Sequence, residues 1–338
     1  MGADVAGAAP VSRDDPEGAE SNQRTISSAA GLAVVVTAHP LATVAAHTML
    51  MKGGSAVDAL VAAQSVLAVV EPQSSGLGGG GFLLHWKAQQ RQLDVLDGRE
   101  QAPSASQPDD LLKPDGQPLP WREATSQLRA IGIPGTVALL WDAHQRWGRL
   151  PWTTTFQPAI KLARKGFRTT PRLLRSISLA QRIGTRHSPE FDQLYRPGGE
   201  LPRLNEVFRN PALGDTLEQI ARDGGSSFYD GALAARILKG IAELGSKERA
   251  FQGWAAADLK NYTVIRRHPV CHPIQRWQLC TVPPPSGGGL AILQTLALLE
   301  ATGPMSNPKR PQTWQRFATA LQRADADRFY WVNDPSDW

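Results

Sequence analysis

The residues best placed to do chemistry lie between Glu71 and Glu100, which reads E-P-Q-S-S-G-L-G-G-G-G-F-L-L-H-W, then a short polar insert, then Q-L-D-V-L-D-G-R-E. Glycines let backbone approach a ligand closely, and an arginine carries a planar fork that matches a carboxylate. Arg99, in Asp97-Gly98-Arg99-Glu100, is therefore the candidate anion-binding residue. Two readings stand for it: a structural ion pair with Asp97 or Glu100, or a bidentate grip on a substrate carboxylate.

Other candidates are weaker. Gly76, Gly78 and Gly81 satisfy G-x-G-x-x-G, with Asp97 about twenty residues on as a dinucleotide fingerprint asks. Here, however, a helix precedes the glycines and a strand follows, so no helix N-terminus faces a pyrophosphate. The run reads instead as a backbone nest or a wall against which another segment packs. Thr153-Thr154-Thr155 opens a helix, where hydroxyls serve as caps. The seven histidines, including His39, His268 and His272, show no metal spacing, and no G-x-S-x-G elbow accompanies them. No cofactor or metal is implied, and no complete catalytic constellation is visible. Cys271 and Cys280 flank a hairpin and could meet, but unpaired buried thiols are the reading adopted.

Composition frames these residues. An apolar fraction of 41% and a charged fraction of 20% are those of a globular protein with a sizeable core. The net charge of +5, from 36 basic and 31 acidic residues, is too mild to argue for nucleic acid. No apolar run of about 18 residues occurs, so no membrane span is expected. Met1 to Ala30 is polar, lacks the apolar segment of a secretory signal, and reads as a flexible tail before one domain covering residues 31–338. The compartment stays open, with the cytoplasm as the expectation where no export signal is visible.

The elements that must hold the site follow in order. Gly31 to Ala38 is β-branched and apolar, predicting a buried strand. Leu41 to Lys52 predicts a helix stopped by Gly53-Gly54. Ser55 caps a second helix over Ala56 to Val70, with Asp58 in its first turn. Phe82 to Trp86 and Gln92 to Asp97 form an antiparallel pair. Arg129 to Ile133 predicts a short strand, Thr136 to Trp147 a helix, and Leu150-Pro151-Trp152 opens another that runs to Lys165. Helices are also expected over Phe228 to Leu244, Leu290 to Glu300 and Trp314 to Trp331. Strands are expected after Asp258 and over Arg276 to Val282, with Pro283 to Gly289 as a hinge. Without βαβ alternation or internal repeats, the class is α+β, an antiparallel sheet with helices layered on it. Lys161 to Arg186 carries eight basic residues and no acidic one. Lacking interleaved aromatics, it reads as a solvated or partner-facing helix surface.

Several runs resemble the γ-glutamyltranspeptidase family in family order: A-H-P-L-A-T, K-G-G-S-A-V-D-A, V-V-E-P-Q-S-S-G-L-G-G-G-G-F, L-D-G-R-E-Q-A-P, I-G-I-P-G-T-V, F-Y-D-G, A-D-L-K-N-Y, V-P-P-P-S-G-G-G and A-D-A-D-R. The resemblance covers Gly31 to Pro335. It implies an N-terminal-nucleophile hydrolase fold, an αββα sandwich made from a self-cleaving precursor. In that family a threonine opening the small subunit attacks the γ-glutamyl amide of glutathione and passes the acyl group to water, an amino acid or a peptide. Arg99, matching the arginine of D-G-R-E, would bind the substrate α-carboxylate.

The chain departs from the family in showing no Thr-Thr-His nucleophile region, and A-F-Q-G-W-A-A-A over Ala250 to Ala257 replaces a Gly-Gly turn. The expectation is an incomplete sandwich, the large-subunit part only, inactive by itself and partnered by a small catalytic subunit. A related cephalosporin or glutaryl acylase, and a non-catalytic remnant acting as a scaffold, are the alternatives. Family members are often periplasmic or extracellular.

Overall fold

The computed structural model describes residues 33–182, 189–246, 251, 253–303, 307 and 309–335. The expected N-terminal tail, Met1 to Ala30, lies outside the described residues. The chain separates into two compact units, one of residues 1–80 and 100–262, the other of residues 81–99 and 263–338. Elements are numbered along the whole chain.

The first unit is helical. It contains α1 (Pro40–Met51), α2 (Ala56–Val70), the short α3 (Pro72–Ser75) and α4 (Trp121–Ala124), α5 (Thr136–Trp147) and α6 (Trp152–Lys165). After these come α7 (Pro171–Arg182), α8 (Pro189–Tyr195), α9 (Pro211–Asp223), α10 (Ala232–Gly245) and α11 (Ala256–Lys260). The second unit holds β1 (Gly81–Lys87), β2 (Gln92–Gly98), β5 (Ile265–Arg267), β6 (Val270–Ile274), β7 (Trp277–Thr281), α12 (Gly287–Ala301) and α13 (Pro311–Trp331). The two-residue strands β3 (Phe167–Arg168) and β4 (Val207–Phe208) pair within the first unit.

α2 is the axis of the first unit. Its valines and all its alanines but Ala56 are buried, which lets α1 and α6 pack closely against it. The helix starts with a reciprocal capping box, Ser55 Oγ accepting from the Asp58 N–H and Asp58 accepting from the Ser55 N–H. α1 begins at His39, whose Nδ1 accepts from the Leu41 N–H, and ends at Gly53 with φ of 80°, a conformation glycine adopts without strain. α6 packs its other side on α9.

In the second unit β1, β2 and β5 form an antiparallel sheet in that order. The register pairs Gly81 with Gly98, His85 with Asp94, and Asp97 with both Phe82 and Ile265. Alternation then puts Leu83, His85, Asp94 and Leu96 on one face and Leu84, Trp86, Val95 and Asp97 on the other. α12 and α13 pack as an antiparallel pair, with the β6–β7 hairpin against α12.

Five expectations are corrected. Residues 33–37 form no regular strand and leave Val34 and Val36 exposed, since no ladder to another strand exists among the described residues. In place of the strand expected over Arg129 to Ile133 there is a 3₁₀ turn at Leu128–Ala130 and a single bridge between Ile133 and Gln101. The expected hinge ends early, because Gly287, Gly288 and Gly289 are the first turn of α12. A Cβ at Gly289 would collide with Thr281 Oγ1, so this glycine is a packing surface. Cys271 and Cys280 face each other across the β6–β7 ladder and form a disulfide. Finally, Thr153 to Thr155 do not cap α6, whose N-cap is Pro151. The buried Thr155 hydroxyl donates to the Trp152 carbonyl within the first turn.

Candidate functional site

Arg99 follows immediately on β2, one residue past the point where Gly98 pairs with Gly81. The β2–β5 ladder stops at Asp97 opposite Ile265. Arg99 therefore lies beyond both ladders, and its side chain is exposed. Its backbone is fixed by a side chain instead: the Arg99 N–H donates to Asp97 Oδ1 at 2.9 Å.

Asp97 is buried, 4% exposed, and its second oxygen accepts from Arg267 Nε at 2.6 Å. A buried carboxylate costs several kcal/mol unless paired, and Arg267 from β5 supplies that pair. Asp97, named as a possible ion-pair partner of Arg99, is paired with Arg267 and also accepts from the Arg99 main-chain N–H.

The opposite face of the sheet carries a second buried aspartate. Asp94 is met by Lys87 at 2.8 Å and by the largely exposed Arg266 at 3.4 Å. Burial pushes the Asp94 carboxyl up, but the two cations outweigh it and hold it below its ordinary value. Its cross-strand neighbour His85 is held low by burial, with Asp94 pulling the other way.

The glycine run belongs to the first unit up to Gly80. The Gly79 carbonyl accepts from the N–H groups of Gly135 and Thr136, at 2.9 and 3.0 Å. Both lie at the start of α5, so two of the N–H groups of that helix terminus are held by main chain, and a third, from Ala138, is held by the Tyr229 hydroxyl. Within the run it is Gly79 that meets another segment, while Gly78 and Gly80 are exposed and a Cβ at Gly78 would meet nothing within 4 Å.

The remaining candidates have structural roles. His39 caps α1, and burial lowers its pKa, keeping Nδ1 an acceptor. Among the described residues no cluster of His, Cys, Asp and Glu could hold a metal ion. Of the basic run, Arg164 pairs with Asp215 and Glu218 on α9, and Arg172 reaches the buried Glu71 at 2.7 Å.

Sequence reading missed four polar centres. Arg267 and Glu71 gave no local signal, because their partners are remote in the chain. Asp58 was seen only as a helix-start residue, yet it also accepts from the N–H groups of Arg149 and Leu150. Tyr229 bridges the Pro134 carbonyl and the Ala138 N–H, and burial pushes its hydroxyl up. The F-Y-D-G run was its only trace.

The profile of the gamma-glutamyltranspeptidase family matches residues 42–337. The chain is 33% identical over 303 residues to the glutathione hydrolase proenzyme of Bacillus subtilis, covering 89% of this chain and 50% of that protein. It spans about half the length of the curated relatives it matches. The gamma-glutamyltranspeptidase crystal structure from Helicobacter pylori superposes with a TM-score of 0.83 at 28% identity, covering 90% of this chain and 86% of that one. A cephalosporin acylase from Bacillus halodurans gives 0.75 at 26% identity, covering 88% and 54%. The α+β class and the N-terminal-nucleophile hydrolase fold expected from sequence are those of these structures.

Proposed function

The chain belongs to the gamma-glutamyltranspeptidase family, and from that premise we propose that it is the large-subunit portion of a gamma-glutamyltransferase or glutathione hydrolase in which Arg99 holds the substrate α-carboxylate. The observation that carries this reading is Arg99 itself: an exposed guanidinium whose backbone is pinned at the end of β2. A guanidinium meets a carboxylate through two parallel N–H···O bonds, which fixes the orientation of the amino-acid end of a γ-glutamyl group. With that end held, the γ-carbonyl is presented at a fixed distance to a nucleophile, and orientation of this kind lowers the barrier.

The nucleophile is proposed to be a threonine on the half of the family's length that this chain does not span. Its acyl-enzyme would pass the γ-glutamyl group to water or to an amino acid. Two facts support a subunit of this extent. The matched Helicobacter pylori chain is itself covered to 86%, while curated proenzymes are covered to about half. Among the described residues the sheet of the second unit also has β1 and β5 as its unpaired edges, with Leu84, Trp86 and Ile265 exposed. Unpaired edges beside apolar side chains suit a strand-bearing partner, here the small catalytic subunit. Both units of the chain would belong to that one large-subunit portion.

The test is Arg99→Lys in the enzyme assembled with its small subunit. Loss of the fork removes about 1.5–3 kcal/mol of charge-assisted bonding. KM for glutathione then rises from about tenfold to above a hundredfold. An unchanged KM would remove Arg99 from the site. Without the small subunit, the 338-residue chain is expected to hydrolyse no γ-glutamyl anilide, and robust turnover would sink the subunit reading. The acylase structure favours a second reading, a cephalosporin or glutaryl amide hydrolase. Faster turnover of glutaryl than of γ-glutamyl amides would select it.

A further inference from the structure

Arg99 sits where neither strand ladder reaches, and Asp97 does the work a ladder would do. Its Oδ1 takes the Arg99 N–H at 2.9 Å, and its Oδ2 is locked by Arg267 Nε at 2.6 Å. Arg267 pairs across β2 with Val95, so the lock is anchored in the sheet. We propose that Asp97 and Arg267 form a positioning pair that sets the direction in which Arg99 leaves β2, and so sets affinity for the α-carboxylate. The proposal rests on the reading of Arg99 as the carboxylate-binding residue.

A comparison within the same sheet supports it. β5 sends two arginines to two buried aspartates of β2. Arg266 lies 3.4 Å from Asp94 and is 60% exposed, whereas Arg267 lies 2.6 Å from Asp97 and is 16% exposed. Strand cohesion alone would be served by either pair. Only the tighter and drier pair has its aspartate's other oxygen on the backbone of Arg99, two residues on. In Asp97→Asn the amide oxygen can satisfy Arg267 or the Arg99 N–H but not both with full charge, so the hold on the Arg99 main chain loosens. The guanidinium then samples directions that miss the carboxylate.

The experiment is a double-mutant cycle on the assembled enzyme with γ-glutamyl anilide, using Asp97→Asn, Arg99→Ala and the two combined. Asp97→Asn is expected to raise KM between about tenfold and a hundredfold, with a smaller change in kcat. Added to Arg99→Ala, it is expected to raise KM no further, because it acts through the side chain already removed. Arg267→Lys, which keeps the charge and loses the guanidinium geometry, should raise KM by a smaller factor, and it serves if Asp97→Asn does not fold. Multiplicative effects in the cycle, or a fall in kcat at unchanged KM, would overturn the positioning role. If Arg99→Ala itself leaves KM unchanged, the underlying reading fails. If Arg99→Ala raises KM while Asp97→Asn and Arg267→Lys do not, only the positioning pair fails.

Discussion

Removing the Asp58 carboxylate is expected to cost the protein a large share of its stability, and the loss can be built up from its partners. Asp58 is fully buried in the first turn of α2. It accepts from the N–H groups of Ser55 at 2.7 Å, Arg149 at 3.0 Å and Leu150 at 3.2 Å, and its Oδ1 lies 3.3 Å from His144 Nε2. That nitrogen also meets the Leu150 carbonyl at 3.0 Å, so the loop before α6 is tied to both helices. Losing the capping interaction costs about 1 kcal/mol. Leaving the two part-buried loop amides without their acceptor costs about 1–2 kcal/mol each, since water reaches them. Asp58→Ala should therefore cost about 3–5 kcal/mol against a total stability of about 5–15 kcal/mol. Asp58→Asn, which keeps one acceptor oxygen, should cost about 2 kcal/mol. Urea denaturation followed by tryptophan fluorescence suits this, because Trp152 packs on the His144 ring at 5.1 Å. Hydrogen exchange at the Arg149 and Leu150 amides reads the loop directly. A cost of Asp58→Ala below about 1 kcal/mol, or unaltered protection of those two amides, would refute the staple.

Two neighbouring glycines should respond with opposite signs. A Cβ at Gly288 meets nothing within 4 Å, so Gly288→Ala should raise stability by about 0.5–1 kcal/mol. At Gly289 it would strike Thr281, so Gly289→Ala should destabilise by about 1–3 kcal/mol, and equal urea midpoints for the two variants would contradict the packing described. The pH dependence follows from His39 and His85, both held by burial below the ordinary 6.5. The unfolded chain binds more protons there, so stability should fall as pH drops through 6.5 and level off below the folded values. His39→Asn keeps a cap without titrating, and a urea-midpoint profile between about pH 7 and pH 5 that it leaves unchanged would exclude His39 from that slope.

Local signals in the sequence settled more of the helical framework than of the sheet. Ser55 and Asp58 announced the start of α2, Gly53 the end of α1 and Gly166 the end of α6, because caps and stops act within a turn. The β1–β2 hairpin was legible from two alternating runs around a polar insert. Residues 33–37 show the opposite case: β-branched residues favour extension, but a strand needs a neighbour, and that is a tertiary matter. The glycines before α12 looked like a hinge because glycine signals freedom and close contact alike, and only the position of Thr281 separates the two. The disulfide likewise depended on the β6–β7 register, which sets Cys271 directly opposite Cys280.

For the proposed site, the sequence by itself named the residue and what it could do: Arg99, whose fork matches a carboxylate, in a motif that carries the family. Tertiary structure decided what stands around its main chain. Asp97 stands two residues away and was visible, but Arg267 is brought to it by the β2–β5 pairing, across a separation that no local pattern spans. A side chain's chemical capacity is written in its own atoms, while its direction is fixed by whichever remote groups the fold sets against it.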